Sequence, residues 1–118
     1  MPISDRSAFT PGAVVVVPFP YSDRLAEKRR PAVVVSGGPV AESGFVWIAM
    51  ITSARNAAMP GDLPIADLPQ AGLVAASVIR PIKIACIEPS RILRQIGVLN
   101  ADAADATFTS IRAMIGPN

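Results

Sequence analysis

Residues 28–36, KRRPAVVVS, place three basic side chains directly before a proline and a run of β-branched residues. The apolar part is short, rich in valine and closed by the turn residues Gly37-Gly38-Pro39, a composition that favours a strand over a helix. We therefore predict a buried strand over Pro31–Ser36. Because the proline is rigid and the strand is buried, the sheet would aim the guanidinium of Arg30 rather than leave it free in solvent.

Segments of the same kind lie on both sides of this strand. They predict strands at Ala13–Phe19, Phe45–Thr52, Leu63–Ile65, Ala75–Ile79 and Ile82–Ile87. Side chains alternate along a strand, so Phe45 and Trp47 share one face of the third strand, and we expect them in the core. No helical segment separates the strands, which favours a small antiparallel barrel over parallel βαβ units.

Only the C-terminal part of the chain has a helical period. Residues 88–93, EPSRIL, suit a single helical turn with proline near its start. Asn100 is a suitable N-cap, and Asp102 places a carboxylate in the first turn. Apolar residues then follow at spacings of four, three and four: Ala104, Phe108, Ile111 and Ile115. The pattern predicts an amphipathic helix that packs across the barrel and ends at Gly116-Pro117.

Length and composition limit the organisation to one domain. The chain has 118 residues, 51% hydrophobic and 17% charged, enough for one hydrophobic core without disulfides or a structural metal. We treat residues 1–118 as a single domain. Eleven basic and nine acidic residues give a net charge of +2, which permits a polyanionic partner without requiring one.

The residue types that are missing exclude several kinds of site. The chain has no histidine, which excludes Ser-His-Asp triads, histidine-ligated metals and a two-histidine ribonuclease mechanism. Its one cysteine, Cys86, excludes an internal disulfide, and the apolar residues around it predict a buried, inert thiol. The N-terminus lacks an apolar signal region, and no apolar run reaches the ~18 residues needed to span a bilayer. We therefore expect a soluble cytoplasmic protein with no metal and no cofactor.

Two polar loops interrupt the apolar background, and each is open to two interpretations. Residues 20–30 hold four of the eleven basic residues: Arg24, Lys28, Arg29 and Arg30. They are either solvated charges or cations positioned to bind phosphate. At the second loop, residues 53–62, Thr52 and Ser53 are either ordinary strand-end residues or hydroxyl donors to phosphate oxygens. Arg80 is likewise either a solvated charge or a cation positioned to bind phosphate.

Several short segments follow one another along the chain at compatible spacings. In order they are Pro11-Gly12, Pro18-Phe19-Pro20, residues 28–36, Ile51-Thr52-Ser53, residues 61–65, Gly72-Leu73, residues 77–80 and residues 96–99. This ordered set, which covers nearly the whole chain, resembles the PemK/MazF family of toxin–antitoxin ribonucleases. The resemblance implies a small SH3-like barrel, a homodimer, a cognate antitoxin, and metal-independent endonucleolytic cleavage of single-stranded RNA.

The resemblance also implies roles for individual residues. The family's catalytic arginine and threonine fall on Arg30 and Thr52. The residues assigned to RNA binding are Arg24, Lys28, Arg29, Ser53 and Arg80. In the PemK/Kid branch an acidic residue lies two positions after the last of these, where this chain has Ile82, and the first-loop histidine of some members is missing. The chain therefore resembles either members with a leaner arginine and threonine arrangement or a weakened enzyme.

Such cleavage needs no histidine, because the 2′-OH of RNA can itself attack the scissile phosphorus and leave a 2′,3′-cyclic phosphate and a 5′-OH. Arg30 would stabilise the added negative charge, and Thr52 would donate a hydrogen bond. A guanidinium is too weak a base to take the proton from the 2′-OH. Glu27 and Asp23, in the same loop, are the candidates for that base, although both are equally interpreted as solvated charges.

Two other functions stay open. Toxins of the same fold bind DNA gyrase and cleave nothing, but they resemble one another in a near-terminal tryptophan, whereas the only tryptophan here is Trp47. A catalytically weakened binding barrel is the second, supported by Ile82. For the antitoxin we predict a disordered peptide whose acidic and apolar residues occupy the RNA groove.

Overall fold

The computed structural model describes residues 9–19 and 28–117. Its strands are β1 (Ala13–Phe19), β2 (Lys28–Val34), β3 (Val46–Ser53), β4 (Leu63–Pro64), β5 (Ser77–Ile87) and β6 (Arg94–Val98). Its helices are α1 (Gly38–Glu42), α2 (Leu68–Ala71) and α3 (Ala101–Met114), and a 3₁₀ turn covers Pro89–Arg91. The strands form one curled antiparallel sheet in the order β4-β5-β3-β2-β1-β6. The predicted class, mainly β with a C-terminal helix, is confirmed.

Both faces of the sheet are buried, because apolar residues occupy both sets of alternating positions in β1, β2 and β3. One face, which we call the front face, carries Val15, Val17, Val34 and Ile48. The other, the helix face, carries Val14, Val33, Ala49 and Ile51 and packs with residues of α2 and α3. All eight side chains are at most 1% exposed. Burial on two sides explains why these strands are continuous apolar runs rather than alternating ones.

The strand predictions hold for β1 and are displaced elsewhere. β1 has the predicted bounds, β2 begins three residues earlier than predicted and β3 begins one residue later. The predicted fifth and sixth strands are a single strand, β5. Its pairing with β3 jumps from Ala49↔Ile84 to Met50↔Arg80, so residues 81–83 form a bulge. Residue 81 is a proline, which has no N–H to donate to a neighbouring strand, and this explains the break in the apolar pattern.

Three elements are absent from the sequence prediction: α1, α2 and β6. Both helices are about one turn long, too short to show a 3.6-residue period. β6 pairs with β1 at the edge of the sheet, and α2 packs against it. Gly97 allows this contact, because a Cβ at that position would collide with the backbone of Ala71.

The C-terminal helix is confirmed at its predicted bounds. The side chain of Asn100 accepts a hydrogen bond from the backbone N–H of Ala103 at 2.9 Å, which caps the first turn. The helix ends at Met114, before Gly116-Pro117. The predicted turn after Glu88 is confirmed as the 3₁₀ turn at Pro89–Arg91.

Two predictions about burial are wrong. Cys86 is exposed, and Phe45 and Trp47 are 41% and 43% exposed. Trp47 pairs with Cys86 at the end of the sheet that the last turns of α3 pass. There the side chains line an open groove instead of packing into a core. The apolar residues at this end of the sheet therefore form an exposed surface and not part of the core.

Candidate functional site

The strand register brings three of the predicted site residues to one end of the front face. Arg30 pairs with Val17 across β1 and β2, so its side chain lies on the front face. The β2–β3 ladder includes Ala32↔Met50, and continuing that register by two residues places Arg30 opposite Thr52. Met50 in turn pairs with Arg80 on β5. Three neighbouring strands thus present Arg30, Thr52 and Arg80 on one face. We call these three residues, with the loop of residues 53–62, the polar corner.

Thr52 is held by a side chain of that loop. The residue is 6% exposed, and its Oγ1 accepts a hydrogen bond from Asn56 Nδ2 at 2.6 Å. A hydroxyl that accepts from one neighbour keeps its own proton available to donate to another. The arrangement therefore favours Thr52 as a hydrogen-bond donor.

Arg80 is tied to the same loop through two nitrogens of its guanidinium. Nε donates to Asp62 Oδ1 at 3.0 Å, and Nη2 donates to Asp62 Oδ2 at 2.9 Å. Nη2 also donates to the carbonyl oxygen of Ala57 at 2.8 Å. The arginine and aspartate side chains are only 9% and 12% exposed. This two-bonded pairing is the strong geometry for arginine and carboxylate, so it fixes the loop to β5.

Asp62 is consequently an unusually acidic carboxyl group. The hydrogen bond from Arg80 lowers the pKa of Asp62 below its ordinary value of 3.8, and the backbone N–H of Met59 acts in the same direction. Partial burial opposes these effects without cancelling them. Asp62 is therefore ionised at neutral pH.

The other predicted RNA-binding residues are arranged differently. Lys28 and Arg29 are exposed at the start of β2, on opposite faces because side chains alternate. Ser53 lies one residue beyond Thr52, where its Oγ accepts from the backbone N–H of Arg55 at 3.1 Å, so the predicted pair of hydroxyls is split between two faces. Arg24, Asp23 and Glu27 lie outside the described residues.

Two residues of the polar corner, Asn56 and Asp62, were not assigned a role from the sequence. Asp62 belongs to one of the segments that carried the family resemblance, but nothing in the local pattern links it to Arg80, eighteen residues further along. Ile82, where a family branch has its acid, is 51% exposed in the β5 bulge. The carboxylate that binds Arg80 is that of Asp62, in the loop before β4, and position 82 supplies none.

Neither a metal cluster nor a membrane-spanning helix is found among the described residues. Within residues 9–19 and 28–117, no three histidine, cysteine, aspartate or glutamate side chains lie close enough together to hold a metal ion. No helix in the described part of the chain has the length and apolar character needed to cross a bilayer.

A second surface, which we call the apolar groove, lies between the end of α3 and the far ends of β3 and β5. Its volume is about 660 Å³. The lining residues are Trp47, Pro81, Ile82, Ile84, Cys86, Ile111, Met114 and Ile115. Ile115 is 62% exposed and Ile84 is 42% exposed. Contiguous apolar exposure of this kind is typical of surfaces that contact another protein.

Comparison with protein families decides the relationship that these features suggest. The profile of the PemK-like, MazF-like toxins of type II toxin–antitoxin systems matches residues 10–115. The chain belongs to this family. It is therefore a type II toxin, and the match spans the polar corner, the apolar groove and the sheet that carries both.

Solved structures of this toxin family share the fold. The toxin MazF-mt6 of Mycobacterium tuberculosis is 22% identical over 86% of this chain and 93% of its own, with a TM-score of 0.67. MazF of Deinococcus radiodurans is 21% identical over 92% and 96%, with a TM-score of 0.70. A mycobacterial endoribonuclease in complex with its cognate antitoxin is 14% identical over 90% and 91%, with a TM-score of 0.69. Comparison with curated protein sequences finds no match. At these identities the likeness extends to the fold alone.

Proposed function

We propose that this PemK/MazF-family toxin is an endoribonuclease that cleaves single-stranded RNA without a metal ion and thereby inhibits translation and growth. It is supported most by the β2–β3 register, which brings Arg30 opposite Thr52 when it is continued two residues beyond Ala32↔Met50, and by Asn56, which donates to the threonine Oγ1 at 2.6 Å. A cation and a hydroxyl donor on adjacent strands of a rigid sheet are suited to stabilising a phosphate that gains negative charge.

The reaction uses the RNA as its own nucleophile. The 2′-O attacks phosphorus, the bond from phosphorus to the 5′-O breaks, and the products are a 2′,3′-cyclic phosphate and a 5′-OH. Arg30 neutralises charge on the phosphoryl oxygens, while the Thr52 hydroxyl donates a hydrogen bond to one of them. The proton of the 2′-OH must pass to a base, and the leaving 5′-O must gain a proton.

The base remains a prediction for Asp23 or Glu27. Asp62 is a poor candidate, because both of its oxygens accept from Arg80 and its pKa is lowered. A carboxylate in this state has little tendency to take a proton at neutral pH.

We propose a cognate antitoxin as the protein partner, acting in the cytoplasm where the RNA substrate is translated. One structural neighbour is described as a complex with its cognate antitoxin. Lys28, Arg29 and Arg30 form a basic stretch that attracts phosphates, so an inhibitor that blocks RNA should place acidic residues there. Reversing the charges of Arg29 and Arg30 together should weaken the binding of both RNA and antitoxin. A titration in which saturating antitoxin left RNA affinity unchanged would contradict shared binding surfaces.

We also propose that the toxin is a homodimer and that the second copy covers the apolar groove. A two-fold contact must be self-complementary. The groove offers exposed apolar surface for such a contact, because Ile115 and Ile84 are 62% and 42% exposed and line it together with Trp47.

One experiment distinguishes this function from that of a binding barrel that cleaves nothing, the alternative that Ile82 supports. The purified toxin is incubated in EDTA with a long RNA that has structured and unstructured regions, and the ends of the fragments are mapped. Discrete cuts in unpaired regions with 5′-OH termini are expected. Intact RNA at toxin concentrations that bind it would favour the binding barrel.

A further inference from the structure

We propose that Asp62 and Asn56 are positioning residues of the cleavage site, acting on Thr52 through the loop of residues 53–62. The Arg80–Asp62 ion pair holds the loop against β5, and the held loop keeps Asn56 on the threonine hydroxyl. The proposal rests on the proposed ribonuclease function. It gives a role to two residues to which the family resemblance assigned none.

Arg80 connects the sheet to two separate points of the loop. Its guanidinium binds the carboxylate of Asp62, at the loop's end, and the carbonyl oxygen of Ala57, near its middle. The backbone of Arg80 is held in the sheet, because Arg80 pairs with Met50 of β3. A loop held at two points by a largely buried cation has little freedom to move away from the strand.

The loop is also closed on itself around Asp62. The backbone N–H of Met59 donates to Asp62 Oδ2 at 2.9 Å, and the backbone N–H of Asp62 donates to the carbonyl of Met59 at 3.1 Å. At the other end, the backbone N–H of Asn56 donates to the carbonyl of Ser53 at 3.1 Å. Asn56 is therefore located between a turn anchored in β3 and a segment anchored on Arg80.

The consequence for chemistry lies in the direction of one hydrogen bond. Asn56 Nδ2 can only donate, so Thr52 Oγ1 accepts from it, and the hydroxyl proton is left to point elsewhere. Thr52 is 6% exposed, which limits the water that could reorient it. A phosphate oxygen that reaches the front face beside Arg30 would meet a donor already oriented for it, which is how preorganised sites lower a barrier.

This role differs from that of a free RNA-binding cation. The Arg80 guanidinium uses Nε and Nη2 on loop acceptors, and the pair is about nine-tenths buried. If Arg80 mainly bound RNA, removal of Asp62 would release it and strengthen RNA binding. If it positions the loop, removal of Asp62 would slow cleavage with little change in binding.

The test compares Asp62→Ala with Asp105→Ala, an exposed carboxylate on α3 whose loss changes the net charge equally. Both variants are checked by far-ultraviolet circular dichroism. We expect Asp62→Ala to lower kcat roughly 10- to 100-fold with KM changed less than about twofold, because small displacements of a reacting group have effects of this size. Asp105→Ala should match the wild type. An unchanged kcat with a lower KM for Asp62→Ala would overturn the proposal.

Asn56→Asp supplies a second variant that does not depend on the ion pair. It keeps the shape of the side chain but replaces a donor with an acceptor, so Thr52 would have to donate to it. We expect a loss of kcat similar to that of Thr52→Val, and the double variant with Asp62→Ala should lose less than the product of the two single losses. If the loss of kcat in the double variant equalled the product of the two single losses, the two residues would not act through the same loop.

Hydrogen exchange separates this proposal from the ribonuclease function. In Asp62→Ala the amide of Asn56, whose acceptor is the carbonyl of Ser53, should exchange faster than in the wild type and in Asp105→Ala, whether or not RNA is cleaved. If the wild type cleaves no RNA, the proposed function is wrong, but exchange at Asn56 still reports whether Asp62 holds the loop. Unchanged exchange at Asn56 would contradict the proposal even in an active enzyme.

Discussion

The polar corner and the apolar groove lie on one sheet. They differ in whether their side chains find partners within the chain. In the polar corner, Thr52 is bonded to Asn56 and Arg80 is bonded to Asp62. No buried side-chain nitrogen or oxygen in the described residues lacks a partner. In the apolar groove, large side chains such as Ile84 and Ile115 are left in contact with solvent. In the first region the polar side chains find their partners within one chain, whereas the second leaves large apolar side chains exposed, as expected of a surface that another protein would cover.

The sharpest test of the polar corner is Arg30→Ala. Arg30 is only partly buried at the start of β2, so its loss should leave the fold intact. Removing one preorganised group that stabilises developing charge costs about 10²- to 10³-fold in rate. Single-turnover RNA cleavage should fall by that factor, and toxicity in cells should disappear with it.

Arg94→Ala is the matched control for this loss. Arg94, on β6, pairs with Val16 of β1. It is exposed and lies on the other face of the sheet from Arg30. It removes the same charge without touching the polar corner, so its cleavage rate should stay close to the wild type. Equal rates for the two variants would mean that net charge, and not a positioned guanidinium, supports cleavage.

A charge introduced into the apolar groove should disrupt the proposed dimer. Ile84→Asp places a carboxylate in the groove, and burying it against a second copy without a partner is costly. Light scattering at micromolar concentration should give about twice the 12.3 kDa chain mass for the wild type and the chain mass for the variant. Val74→Asp, at a residue that is 99% exposed, should remain dimeric. If Ile84→Asp remained dimeric, the dimer interface would not include the apolar groove.

The smallest expected effect is the dependence of stability on pH that Asp62 contributes. Its pKa is lower in the folded chain than in the unfolded chain, so its contribution is complete above the unfolded pKa and is lost as pH falls through the folded pKa. Urea unfolding of Asp62→Asn near neutral pH should show a loss of about 1–3 kcal/mol. The difference between variant and wild type should shrink in strong acid, and a difference independent of pH would contradict this origin.

Much of the fold could be predicted from sequence because the signals were local. The valine run of β1, the cap at Asn100 and the period of α3 each lie within a few residues, and each was confirmed. The sequence predicts two strands where the structure has the single strand β5, because the bulge at Pro81 interrupts the pattern that a continuous strand would show. β6 and α2 were missed because they are specified by contact with each other around Gly97.

The candidate site was predictable to a smaller extent. The resemblance placed Arg30 and Thr52, and the register shows how adjacent strands bring them together. Asp62 could not be found in this way, because its partner Arg80 is distant in sequence and the pair forms only when the loop folds back on β5. The sequence predicts Trp47 in the core because a single sequence does not distinguish an apolar core position from an exposed apolar one.

The central claim is that the polar corner cleaves RNA by using the RNA's own 2′-OH and no metal. The most direct measurement is single-turnover cleavage, in EDTA, of two oligonucleotides that contain the mapped cut site. One is all RNA, and the other lacks only the 2′-OH next to the scissile phosphate. We predict that the first is cut to a 2′,3′-cyclic phosphate and a 5′-OH and that the second binds equally well and stays intact. Cleavage of the second oligonucleotide, or cleavage of the first only when a divalent metal is restored, would contradict the account.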